Sequence, residues 1–228
     1  MSGVQLATPV RSAATVDIAV TGTALMHRYA PGRGLDPIDF QVAGPGVVAV
    51  TGRNGVGKST LLRIVAGLLQ PTGGRCDVVV GGVPRAPGAR RTCVGYGAPE
   101  LSFYDELTVA ENLKFATEAR GDAGAGAAAA AALAEVGLAG RERDRFAALS
   151  SGLKQRLRLA FAILFQPPVL VLDEPGSHLD DAGRELVARL LERQRERGLA
   201  LVATNDEREV RLADQRIELR GRGVGDPA

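Results

Sequence analysis

Eight consecutive residues carry the clearest chemistry in this sequence: Gly52-Arg53-Asn54-Gly55-Val56-Gly57-Lys58-Ser59. They satisfy the phosphate-binding pattern G-x-x-x-x-G-K-[ST]. In such a loop successive backbone amides turn inward around an anion, and the glycines permit the dihedrals and the close approach that this needs. A helix starting near Lys58 would aim its positive end at the same phosphates. Lys58 would reach the β- and γ-phosphates of a nucleoside triphosphate. Ser59, followed by Thr60, would ligate Mg2+. A second group is Val169-Leu170-Val171-Leu172-Asp173-Glu174, an apolar run that ends in two carboxylates. Asp173 would hold Mg2+, often through water. Glu174 would orient or deprotonate the attacking water, because phosphoryl transfer depends on positioning and charge stabilisation. The alternative, an ordinary strand that ends in acids, loses ground because a good phosphate loop lies upstream.

A third group, Leu149-Ser150-Ser151-Gly152-Leu153-Lys154-Gln155-Arg156, stands ahead of the second. Ser150 and Gly152 would sit at a helix start, where amides and a hydroxyl can bind a γ-phosphate. A plain helix cap with no ligand is the other reading of the same residues.

These groups need elements to position them. Gly46 to Thr51, Val169 to Leu172 and Leu199 to Thr204 are short apolar runs of the kind buried in a central sheet. Lys58 to Leu69 carries apolar residues at helical spacing, and Pro71-Thr72-Gly73-Gly74 stops it. Val16 to Val20 alternates like an edge strand, with Pro37 to Val42 as partner across the turn-rich Pro31 to Gly34. Further strands fit Asp77–Val80, Thr92–Tyr96 and Gln215–Leu219. Thr108 to about Gln166 has almost no strand signal. It opens on a capping box, Thr108-Val109-Ala110-Glu111, and ends on a helix with Leu153, Leu157, Ala160 and Leu164 on one face. Asp181 to Gly198 is a charged helix with Leu186, Val187, Leu190 and Leu191 inward. Residues 1–14 and 221–228 read as flexible tails.

Composition excludes more than it assigns. The 228 residues suffice for one α/β domain. With 28 basic and 26 acidic residues the net charge is only +2. Nucleic acid is therefore not the expected partner, and a soluble enzyme acting on DNA or ribosomes is disfavoured. Cys76 and Cys93 are too far apart for a metal knuckle, and two reduced, buried thiols are expected. Met1 to Val16 lacks both a basic start and an apolar signal core. No stretch has the roughly 18 strongly apolar residues of a spanning helix. Ala123 to Gly140 comes nearest, and it reads as an Ala-rich helix packed in the domain.

Taken together, the motifs resemble the nucleotide-binding domain of ABC transporters from about Val16 to Leu219. Gly52–Thr60 matches the family's Walker A, Val169–Glu174 its Walker B, and Leu149–Arg156 resembles its Leu-Ser-Gly-Gly-Gln signature followed by the usual helix. Leu107–Leu113 is similar to the start of the family's helical subdomain, and Ser177–Asp180 to its D-loop. Tyr29 falls where the family has an aromatic that stacks on adenine, although a core tyrosine would suit the sequence too. The resemblance implies an α/β fold, a P-loop NTPase core of ABC ATPase type with an antiparallel β edge and an inserted helical subdomain at roughly 100–166, in a single domain over 15–220. It implies ATP and Mg2+ as cofactors and a head-to-tail dimer. Walker A of one copy would face Ser150 and Gly152 of the other, with Asp180 at the acidic D-loop position. A separate transmembrane permease subunit would dock near Pro99 to Asp105, which places the chain on the cytoplasmic face of a membrane. The short chain and Leu107–Phe115 are similar to cytochrome-c-maturation exporter ATPases.

Three positions depart from that pattern. Pro99 stands where the family has the Q-loop glutamine, with Glu100 beside it as a substitute. Asn205 replaces the switch histidine, and it can hydrogen-bond a γ-phosphate but cannot take a proton. Ser151 replaces a signature glycine. These changes imply slow or differently tuned hydrolysis with ATP binding retained, or a nucleotide-gated switch that hardly hydrolyses at all. His27 and His178 form no metal pair. His27 suits surface or packing, and His178 lies in the D-loop analogue.

Overall fold

The computed structural model describes residues 17–30, 33–119 and 125–221. The expected tails, Val16, Pro31 and Gly32 and the first residues of the Ala-rich stretch lie outside these, Gly221 excepted. Five strands form a parallel sheet: β3 (Gly46–Thr51), β6 (Val94–Gly97), β7 (Val169–Asp173), β8 (Leu199–Ala203) and β9 (Gln215–Glu218). Their order is β6-β7-β8-β3-β9. Every residue of β3, β7 and β8 is buried. That explains why these strands read as continuous apolar runs: helices and a second sheet cover both faces.

Side chains alternate along each strand and so feed two cores. Val48, Val50, Val169, Val171, Leu199 and Leu201 face one core, with Leu61, Leu62 and Val65. Val47, Leu170, Leu172, Ala200 and Val202 face the other, with Leu157, Ala160, Leu186, Val187 and Leu190. The first core is closed by an antiparallel sheet of order β2-β1-β4-β5. Its strands are β1 (Ile18–Ala30), β2 (Arg33–Gly44), β4 (Gly73–Val80) and β5 (Val83–Pro84). Here the structure corrects the sequence reading. β1 is an interior strand, paired with β2 on one side and β4 on the other. The short alternation at its start resembled an edge because the second partner lies some fifty residues downstream.

Helix α1 (Lys58–Val65) follows β3. It is shorter than its apolar spacing predicts. Gly67 adopts φ 76°, which breaks the helix, and a Cβ there would lie 2.3 Å from the Pro87 carbonyl oxygen. The short helix α2 (Pro87–Arg90) brings Arg90 to the same end of α1. Arg90 is 2% exposed and pairs with no carboxylate among the described residues; it donates to Ile64 O at 2.9 Å, Cys76 O at 2.6 Å and Arg85 O at 3.1 Å. A cation on the last carbonyls of a helix is favourable, and this one ties α1 to β4. Cys93 is buried and Cys76 partly so, and neither forms a disulfide.

Helices α3 (Val109–Glu118), α4 (Ala125–Glu135) and α5 (Ser151–Ile163) occupy the strand-poor stretch. The capping box at the start of α3 forms as read: Glu111 N donates to Thr108 Oγ1, and Thr108 N to Glu111 Oε2 at 2.8 Å. Leu113, Leu133, Val136, Leu138 and Leu157 are fully buried between these helices. After β7, α6 (Asp181–Arg197) buries the four residues its spacing pointed inward. The short α7 (Glu207–Arg211) joins β8 to β9. Among the described residues no helix is long and apolar enough to cross a membrane.

Candidate active site

The order of the parallel strands sets the site. β8 lies between β7 and β3, with Asp173 opposite Ala203 and Val50 opposite Ala203. The segments leaving the carboxyl ends of these strands therefore converge: the phosphate loop after β3, Glu174 after β7 and Asn205 after β8. Ligands of open α/β sheets bind at such a crevice.

The loop itself has the predicted form. Gly52, Gly55 and Gly57 have φ of 145°, 79° and 110°. A Cβ on Gly57 would lie 2.9 Å from Gly34 O and 3.0 Å from Leu35 Cα, so the start of β2 presses directly on the loop. Lys58 is 6% exposed and curls back: its Nζ donates to Gly52 O at 2.7 Å, Arg53 O at 3.4 Å and Asn205 Oδ1 at 3.3 Å. Asn205 Nδ2 in turn donates to Asn54 Oδ1 at 2.8 Å. Asn205 thus connects the switch position to two residues of the loop. The Ser59 hydroxyl stands near the Asp173 carboxylate and favours its charged form. Burial pushes the Asp173 carboxyl up, opposed by Ser59 and reinforced by the charges of Glu100 and Glu174.

Ser59 and Asp173 fit the group implied by the family. They offer two neighbouring hard oxygen donors, one of them a buried carboxylate that a cation would stabilise. Among the described residues no cluster of three His, Cys, Asp or Glu side chains could hold a metal alone.

Glu174 is exposed, in a turn with φ 46°, and its amide donates to Ala203 O at 2.8 Å. Gln155 braces this turn from α5, donating to Pro175 O at 3.0 Å and Glu174 O at 3.4 Å. Ser150 and Gly152 do not join the phosphate loop. Ser150 caps α5 through Leu153 N at 3.3 Å, and Gly152 lies against the His178 carbonyl. Asp180 caps α6 through Gly183 N at 2.8 Å and meets Arg156 at 3.5 Å. His178 is exposed at φ 61°. His27, by contrast, is buried on Gln70 O at 2.8 Å.

Tyr29 is 50% exposed, so it is not a core tyrosine. Its ring stands edge-on to His27, and its hydroxyl lies near Arg63. Pro99 is exposed. Beside it, Glu100 takes a two-pronged contact from Arg63, at 2.6 and 2.8 Å, and a bond from Tyr96 at 2.9 Å. Burial works to raise the Glu100 carboxyl, yet these donors hold it below the usual carboxylate range. The same contact raises Arg63, and burial together with Glu100 raises the Tyr96 phenol. Sequence reasoning missed Arg63, Tyr96 and Gln155. Arg63 was within reach, because it lies four residues after Ser59 and so on the same face of α1.

A parallel sheet with a glycine loop, a buried aspartate and an uncapped helix start around one crevice defines a P-loop nucleotide-binding protein. The ABC transporter family profile matches residues 35–177. The chain is 37% identical over 205 residues to the aliphatic sulfonates import ATP-binding protein SsuB 1 of Rhodococcus jostii, covering 87% of this chain and 78% of that protein. It is 38% identical over 179 residues to the cytochrome c biogenesis ATP-binding export protein CcmA of Rhizobium johnstonii, covering 74% and 79%. A solved dimeric bacterial ABC transporter cassette superposes with a TM-score of 0.77 at 23% identity, over 88% of this chain and 94% of that one. The chain belongs to the ABC transporter family, as one of its ATP-binding, ATP-hydrolysing cassettes.

Proposed function

We propose that this chain is a motor subunit that turns over ATP between two copies of itself and drives a separate transmembrane permease. The observation that carries the reading is the convergence of Lys58, Ser59, Asp173 and Asn205 on one crevice, with Glu174 exposed at its rim. Backbone amides of Gly52 to Ser59 and the Lys58 ammonium bind the phosphates. Tyr29 offers an exposed ring to the base. Ser59 and Asp173 would hold Mg2+, which supplies charge neutralisation between the β- and γ-phosphates when bound. Glu174 orients the attacking water or takes its proton, and Asn205 donates to the γ-phosphate through Nδ2.

Ser150 and Gly152, remote from this chain's own phosphate loop, serve the nucleotide of the second copy, with Asp180 beside them. The segment from Pro99 to Asp105 receives the permease, which holds the chain at the cytoplasmic face of a membrane. The helical unit at roughly 100–166 moves with that contact against the rest of a single domain over 15–220. Import and export relatives match at nearly equal identity. The shared feature is therefore the motor, and the likeness to cytochrome-c-maturation exporters does not by itself select a cargo.

The test is Glu174→Gln with ATP and Mg2+. A nucleotide-bound dimer on sizing is expected. Unchanged sizing together with absent ATP binding overturns the reading.

One observation favours a second reading, a nucleotide-gated switch with slow hydrolysis. Position 99 offers no side-chain hydrogen bond, and Glu100, its neighbour, is engaged by Arg63 and Tyr96. Steady-state turnover that Glu174→Gln abolishes supports the motor. No Glu174-dependent turnover, even with the permease present, supports the switch.

A further inference from the structure

Three buried side-chain polar atoms lack a partner among the described residues: Arg85 Nε, Ser177 Oγ and Glu209 Oε2. Ser177 follows Gly176 in the chain, and the Glu209 carboxyl packs against Gly176. Native proteins leave few such atoms unpaired, so two at one junction call for a reason. Glu209 is 7% exposed on α7. The Gly176 amide and the Thr204 hydroxyl both stand near its carboxyl and favour its charged form against burial. Thr204 Oγ1 in turn accepts from Asp206 N at 2.9 Å. A Cβ on Gly176 would lie 2.5 Å from Glu209 Oε1, so that position must be bare for the carboxyl to reach the turn.

Gly176 and Thr204 belong to the two segments that matter most for hydrolysis. Gly176 closes the turn Glu174–Ser177, in which Ser177 N donates to Glu174 O at 3.0 Å. Thr204 precedes Asn205, which reaches Lys58. Gln155 already holds this turn from the α5 side. Glu209 holds it from the other side and ties it to the switch strand. A glutamate in the left-handed region keeps its aim only where the surroundings over-determine it.

We propose that Glu209 is a positioning residue for ATP hydrolysis. Its buried carboxyl locks the Glu174 turn to the Thr204–Asn205 segment, so that the water-orienting group and the γ-phosphate contact move as one unit. The proposal rests on the role assigned to Glu174 above. It gives the unpaired Ser177 Oγ and Glu209 Oε2 a use as the donor and acceptor through which the turn can tighten.

The experiment compares Glu209→Ala, Glu209→Gln and Thr204→Val with wild type at saturating ATP, with Glu174→Gln as the control for authentic turnover. Glu209→Ala is expected to lower kcat by about tenfold or more while KM for ATP stays within about twofold, because misplacement of a reacting group costs rate and not binding. Glu209→Gln, which keeps an acceptor of the same shape, is expected to recover most of that loss. Thr204→Val, which removes one donor and keeps the volume, should fall between. Amide exchange on the nucleotide-free proteins gives a second readout that needs no turnover: residues 174–177 and 204–206 should exchange faster in Glu209→Ala. Unchanged kcat in a folded Glu209→Ala protein overturns the proposal. So does unchanged exchange in those segments, or a parallel loss of kcat and ATP affinity that Glu209→Gln does not recover. Absence of Glu174-dependent turnover in wild type overturns the motor reading instead, and the exchange data then decide the tether separately.

Discussion

Helices α1 and α5 both begin at the site's chemistry, and their N-termini are finished in opposite ways. Gly57, the N-cap of α1, is left-handed and makes no side-chain cap bond. Ser150, the N-cap of α5, closes on Leu153 N. Thr108 and Asp180 close α3 and α6 in the same manner. Among the described helices of eight or more residues with a defined N-cap, only α1 leaves its first amides without a side-chain acceptor. A helix N-terminus with free amides and a positive dipole is a place for an anion. The comparison teaches that the phosphate loop is built to receive its ligand within one chain. The start of α5 is already satisfied and exposed, so it can add a contact only when another surface brings a phosphate to it.

The largest effect that would test this contrast is at α1. Lys58→Ala should weaken ATP binding by about a hundredfold or more, since a charge-assisted contact is lost from a largely buried site. Titration calorimetry on the isolated chain is the measurement. Binding that survives intact would mean that the uncapped helix start is not the ligand's seat.

The next effect is at α5 and should appear in a different assay. Ser150→Ala should leave ATP binding by the isolated chain unchanged and lower turnover by about tenfold, the value of one hydroxyl bond to a charged phosphate. It should also cost about 1 kcal/mol of stability through the lost cap. Equal damage to binding would place both helix starts at one nucleotide and remove the need for a second copy.

Thr108→Ala sharpens the contrast as a control. It breaks a cap of the same kind, far from any proposed phosphate contact. Its expected cost is about 1 kcal/mol, a fall in melting temperature of roughly 2–4 °C for a chain of this size. ATP binding and turnover should be those of wild type. A tenfold loss of turnover here would show that cap loss alone explains the Ser150 result.

What was legible in the sequence follows from distance along the chain. The phosphate loop, the capping box and the buried strands are local patterns, and the structure has them where their spacing indicates. Helix α1 stops early because Gly67 must turn under Pro87, a contact the helical spacing does not encode. The interior position of β1 depends on pairing with β4, and the approach of Glu209 to Gly176 brings together residues that lie on opposite sides of α6 in the chain. At the proposed site, Lys58, Asp173 and Glu174 were singled out by type and spacing. The engagement of Glu100 by Arg63 and Tyr96 was not, because it depends on how α1 lies beside β6.

The smallest expected effect extends the comparison to a buried group that binds no ligand. Burial pushes the Glu209 carboxyl up; Thr204 and Gly176 N–H pull it down, Asp206 adds to the rise, and Arg184 on α6 opposes it. A carboxyl whose folded value lies above its unfolded one holds its proton more tightly when folded. Below the unfolded value both states are protonated and the group has no pH-dependent effect. As pH climbs from there through the folded value, the unfolded chain releases the proton first, and stability is lost. Glu209→Gln removes that loss while keeping the shape. Its melting temperature relative to wild type should therefore rise as pH goes from about 4 to 8, starting from the ordinary carboxylate range. Thermal melts at four or five pH values give the slope directly. A flat difference would mean that the folded and unfolded carboxyls titrate alike. A falling one would mean that Glu209 is ionised and held by Arg184, making the junction an ion pair and not a buried acid.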